Sequence, residues 1–125
     1  MSRIVENFNE ITIDFLNQMA PLTGKKYYYK YSLAIKFNSS YGIDSFIENV
    51  LHFKEKILNK DESFFLNHDV DNNYINDIIG IKEIYHTLDN KSRKSIWEIL
   101  FALVYLAEER YNLVISNRNK YINCN

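Results

Sequence analysis

The stretch IWEILFALVYLAEERYNLV, running from Ile96 to Val114, constrains the fold more than any other part of the chain. At helical spacing its apolar side chains occupy nearly the whole circumference, and such a helix is stable in water only when other helices surround it. Its most apolar window, Ile96 to Ala107, includes Glu98. The window falls well short of the roughly 20 apolar residues that cross a bilayer. It therefore predicts the buried centre of a helical protein and no membrane span.

The helices that would surround it are legible as stripes. Ile4, Val5, Phe8, Ile11, Phe15, Leu16 and Met19 recur every three or four residues and predict a first helix over 2–19, with Pro21 following shortly after. In KKYYYKYSLAIKFN the residues Tyr27, Tyr31, Ala34, Ile35 and Phe37 fall within a second helix. Its aromatic content would also suit a strand, but no hairpin partner with turn chemistry is visible. Gly42-Ile43-Asp44 reads as a turn and N-cap, followed by a third helix carrying Phe46, Ile47, Val50, Leu51, Phe53, Ile57 and Leu58. A fourth stripe runs from Tyr74 to Leu88, with Gly80 its weak point. The polar break DNKSRKS then precedes the last helix. The expected architecture is all-α, a compact bundle of about five helices around a central hydrophobic C-terminal helix. Residues 1–116 form one domain and 117–125 a polar tail.

The 15 basic and 16 acidic side chains nearly cancel, so no global field steers the protein to nucleic acid or to an anionic membrane. Cys124 is the only cysteine, which removes an internal disulfide and a cysteine-based zinc site and suits a reducing compartment. The N-terminal MSRIVENFNEI has acids among its apolar positions and lacks the apolar core of a signal peptide.

The stretch DESFFLNHDVDNN, Asp61 to Asn73, gathers the most polar chemistry. Asp69, Asp71 and Asn73 match the first three ligand positions of a calcium loop. The turn glycine is replaced by Tyr74, and the closing glutamate by Gly80. His52, His68 and His86 have no helical ligand spacing and read as structural or loop residues, His52 and His86 half-buried between apolar positions. Asp61 is expected to cap a short FFL helix, and Glu108-Glu109-Arg110 to form the solvated end of the last helix. The sequence contains no hydrolase, phosphate-binding or dinucleotide motif. No catalytic residue, metal or cofactor is assigned. Phe64, Phe65 and Leu66 form an apolar plug, expected to bury at least one Phe against the last helix near Trp97. Together with Trp97 they are the candidate partner-binding residues. The alternative surface is GKKYYYKYSLAIK, where Lys25, Lys26 and Lys30 could neutralise phosphates and Tyr28 could stack on a base.

Two segments carry a resemblance. FIENVLHFKEKILNKDESFFLN, from Phe46, and IGIKEIYHTLDNKSRKSIWEILFALVYLAE, through to Glu108, together resemble small helical proteins of nucleocytoplasmic large DNA viruses, the mimivirus and phycodnavirus relatives. The matching positions are Phe46, Val50, Phe53, Lys54 and Ile57, then Asp61, Glu62, Phe64, Phe65 and Leu66, then Ile96, Trp97, Leu100 and Leu103. The turn NSSYGID, where the group carries a proline, and Phe53 in place of tyrosine are departures. The resemblance implies a soluble viral protein of the host cytoplasm or the virion and supplies no activity. The expected function is that of a non-enzymatic adaptor or virion component binding a protein partner or itself. A nucleic-acid-binding or transcription-related factor is the second expectation.

Overall fold

The computed structural model describes residues 3–66, 78, 80–82 and 84–123, with the side chains of 65, 66 and 119–123 left out. Six α-helical segments follow in order: α1 Arg3–Thr23, α2 Lys26–Phe37, α3 Tyr41–Asn49, α4 Lys54–Leu58, α5 Ser63–Leu66 and α6 Asn90–Asn123. Short 3₁₀ turns at Leu51–Phe53 and Tyr85–Thr87 join them, and no strand occurs among the described residues. The chain is an all-α bundle, as its periodicity predicts.

Helix α1 buries Val5, Phe8, Thr12, Phe15 and Leu16 along one face, with α2 and α6 packed on it and α3 closing the layer. It runs past Pro21, beyond the expected end at 19. It ends at Gly24, whose amide closes the last helical bond to the Ala20 carbonyl at 2.8 Å while its left-handed φ of 81° turns the chain out of the helix. The buried face of α1 also carries Asn9, a polar side chain that needs partners inside the protein. Its Nδ2 donates to the Ser39 carbonyl at 2.8 Å, and its Oδ1 accepts from the Tyr31 hydroxyl at 2.8 Å. One amide thereby ties α1 to α2 and to the turn before α3. Burial pushes the Tyr31 phenol well above its ordinary range.

Several boundaries differ from the expected ones. Asp44 lies in the first turn of α3 instead of capping it. The single helix expected through Leu58 breaks at Val50, where the chain passes through a 3₁₀ turn into α4. Only part of the Tyr74–Leu88 stripe falls among the described residues. There Gly80 has φ 64°, and a β-carbon on it would lie 2.5 Å from the Tyr27 ring. Glycine at 80 is thus required by backbone hand and by the approach of an aromatic ring, so no continuous helix runs through it. The break DNKSRKS is helical: Asp89 Oδ1 accepts the Ser92 amide at 2.7 Å and caps α6 six residues earlier than the apolar pattern suggests. The backbone of 117–123, expected as a tail, continues α6.

Candidate functional site

Each expected site residue has a definite place. Phe64 is 2% exposed and its ring stands 5.6 Å from that of Phe53. Of the plug, Phe64 is therefore seated in the core, on a turn whose Asp61 Oδ1 accepts the Ser63 amide at 3.0 Å, as the capping expectation requires. The side chains of Phe65 and Leu66 lie outside the described set. Trp97 is 4% exposed. Its Nε1 donates to the Tyr85 hydroxyl at 3.2 Å, and that hydroxyl donates to Glu62 at 3.1 Å. Arg93 completes the cluster: Nε reaches the Tyr85 carbonyl at 3.1 Å, Nη2 the His86 carbonyl at 3.0 Å, and the guanidinium lies over the Tyr85 ring. Burial and the Glu62 carboxylate raise the Tyr85 phenol. Phe64 and Trp97 thus correct the expectation of a partner surface: Phe64 packs on Phe53 of the 51–53 turn, and Trp97 joins α6 to the 85–87 turn through Tyr85. Sequence reading missed this role for Glu62, Tyr85 and Arg93, because residues far apart in the chain meet only on folding.

The calcium-like segment from Asp69 and His68 lie outside the described residues apart from its end at Ile78 and Gly80. His52 and His86 are exposed instead of half-buried. Among the described residues no group of three or more His, Cys, Asp or Glu comes together, and no helix is long and apolar enough to cross a membrane. The acids at 108 and 109 do not end α6. Glu108 accepts from Lys54 at 2.6 Å, Arg110 reaches Asp44 at 2.8 Å, and the helix continues. For Asp44, burial favours the neutral acid, but hydrogen bonds from Arg110 and Ser40 and the nearby guanidinium outweigh it and hold the carboxyl below its usual range. A depressed folded-state pKa contributes stability above the ordinary carboxylate pKa of about 3.9 that disappears as pH falls through the folded value. Asp44→Asn should accordingly melt below the parent protein at pH 7, by a margin that narrows as pH falls below the ordinary carboxylate range, as followed by circular dichroism.

Two faces expose what a bundle ordinarily buries. The first is the outer side of α2. Tyr29, Leu33 and Phe37 are 61%, 57% and 84% exposed, and their spacing of four residues stacks them in one stripe. Phe37 closes this stripe, because α2 turns Tyr27 and Tyr31 inward and the helix ends at Asn38. Lys25, Lys26, Lys30 and Lys36, all exposed, fall with the stripe inside an arc of about 140° on the helix, and α2 contains no acid. Tyr28, the candidate stacking residue, is half-buried against the core cluster, its ring 5.5 Å from that of Tyr29.

The second face lies between α1 and α6. The apolar circumference of α6 is not fully covered, since Tyr105 is 64% exposed. Beside it runs a cleft in two stretches. One, of about 340 Å³, is lined by Asn7, Glu10, Ile11, Ala102, Tyr105 and Leu106. The other, of about 430 Å³, is lined by Ile4, Glu109, Asn112, Leu113 and Ser116. Ile4 faces the later residues of α6 and Ile11 the earlier ones, so the helices run antiparallel and the two stretches lie end to end along one α1/α6 groove. Its floor is aliphatic, and its charged lining residues are the carboxylates Glu10 and Glu109. Neither is ion-paired among the described residues, although Glu109 accepts from the Tyr105 phenol and raises it. Searched against models of protein families, curated proteins and solved structures, the chain matches none of them.

Proposed function

We propose that the protein is a non-enzymatic interaction module that binds a protein partner through the α1/α6 groove and the outer face of α2. The observation that carries this reading is where apolar side chains reach solvent. Tyr29, Leu33 and Phe37 stand exposed in one stripe, while half-buried Ile4, Ile11 and Leu106 and exposed Leu113 line one groove. Contiguous exposed apolar patches of this kind are costly in a monomer and mark docking sites. A groove between two antiparallel helices suits an amphipathic helix that inserts side chains at i, i+4 and i+7 spacing. The resemblance to proteins of large DNA viruses extends the proposal to a viral adaptor or virion component. A nucleic-acid-binding role is the second reading, favoured by the exposure of Lys25, Lys26 and Lys30 beside Tyr29. There the exposed ring of Tyr29 replaces Tyr28 as the stacking group.

Affinity capture with the full chain, with and without nuclease, separates the two. The protein-interaction reading expects a stoichiometric partner that survives nuclease and is lost with Ala102→Arg, which fills the groove. A partner released by nuclease would overturn it.

A further inference from the structure

The two exposed faces are complementary, and we infer that the protein assembles with itself head to tail, the α2 face of one copy seating in the α1/α6 groove of the next. The inference rests on the proposed interaction function and names its partner. Charge is its first support. The α2 face carries Lys25, Lys26, Lys30 and Lys36 with no acid. The groove is lined by Glu10 and Glu109, and exposed Asp14 and Glu98 stand one turn further along the same helical stripes at one end. A chain whose formal charge is only −1 has thus separated its charges onto two apolar surfaces, an arrangement that selects the pairing of unlike faces and disfavours groove on groove.

Dimensions agree. From Tyr29 to Phe37 the stripe rises about 12 Å, and the α6 wall from Ala102 to Ser116 about 21 Å. The three apolar anchors therefore fit within the length of the groove, with the flanking lysines placed to meet its carboxylates. The stripe and groove sit on different helices of one copy, α2 and α6 both packing on α1. Docking uses up one face on each partner and leaves the other pair open, so the contact is heterologous and builds rings or filaments.

Sedimentation of the full chain over a concentration series tests this. The parent protein should grow in mass with concentration and dissociate as salt is raised. Phe37→Asp on the stripe and the double variant Glu10→Lys/Glu109→Lys in the groove, all at surface positions, should each weaken association about tenfold or more. Far-ultraviolet circular dichroism should show parental helicity for both. An equimolar mixture of the two should form a one-to-one dimer that grows no further, because it contains one intact stripe and one intact groove. A parent protein that stays monomeric, an unchanged mass for either variant, or a mixture that remains monomeric would overturn the inference. So would a parent monomer that binds a single-stranded oligonucleotide through Lys26 and Lys30, which would give the α2 face to nucleic acid. Capture of another protein by a monomeric parent, lost with Ala102→Arg, would overturn self-assembly and leave the interaction function standing.

Discussion

Trp97→Ala is expected to lower the unfolding free energy by about 3 to 5 kcal/mol, the range for truncating a large buried aromatic. The indole is almost wholly removed from water and meets Tyr85 edge to face at 6.3 Å. Its Nε1 supplies the donor to a hydroxyl that in turn holds Glu62. Truncation opens a cavity beside α6 and withdraws that donor from the network. Phe64→Ala should fall in the same range, since its ring is equally buried and contacts Phe53. Trp97→Phe isolates the polar part: it retains most of the packing, loses the N–H donor, and should cost about 1 kcal/mol beyond the volume change. Urea denaturation followed by circular dichroism measures all three. A loss below about 1 kcal/mol for both alanine variants would show that the plug and the indole do not hold the bundle together. Because small domains are stable by only about 5 to 15 kcal/mol, either variant is also expected to shorten the lifetime of the protein in cells.

Gly42→Ala is the second large effect, and its sign is set by one neighbour. Alanine is the better helix former by up to about 1 kcal/mol, and Gly42 lies inside α3, so in isolation the change would stabilise. In the folded protein the new β-carbon would meet the Tyr31 hydroxyl and come within 2.6 Å of its Cζ. That ring is 2% exposed and anchored by its hydrogen bond to Asn9. It cannot move aside without breaking the tie between α1 and α2. Overpacking of this kind costs about 1 to 3 kcal/mol or more. The diagnostic is the double-mutant cycle. In a Tyr31→Ala background, itself destabilised, Gly42→Ala should become neutral or stabilising. An unchanged cost in that background would place the strain elsewhere.

These two cases mark how far the sequence could be read. The stripes of α1 and the apolar run of α6 were legible because burying one face of a helix imposes a 3.6-residue period on the residues that form it. The burial of Phe64 was legible for a similar reason, since apolar side chains on a polar turn must dock or cost free energy. Asp61 as a cap was legible because capping is local, and Asp89 as the cap of α6 was hidden by a polar segment that looked like a break. The candidate site was legible only in part. Lys25, Lys26 and Lys30 are exposed as required, but the inward packing of Tyr28, the exposure of Tyr29 and the groove between α1 and α6 depend on how the helices meet. Trp97 is held inside by Tyr85 instead of facing a partner.

By itself the sequence determined that this chain forms helices, that they pack as a bundle, and which face of α1 turns inward, because periodicity and side-chain hydrophobicity are properties of single segments. Only the tertiary structure decided where the bundle stops covering its own apolar surface. The outer stripe of α2 and the α1/α6 groove are what remains exposed after every helix has chosen its neighbours. That remainder depends on crossing positions and helix lengths, which no one segment encodes.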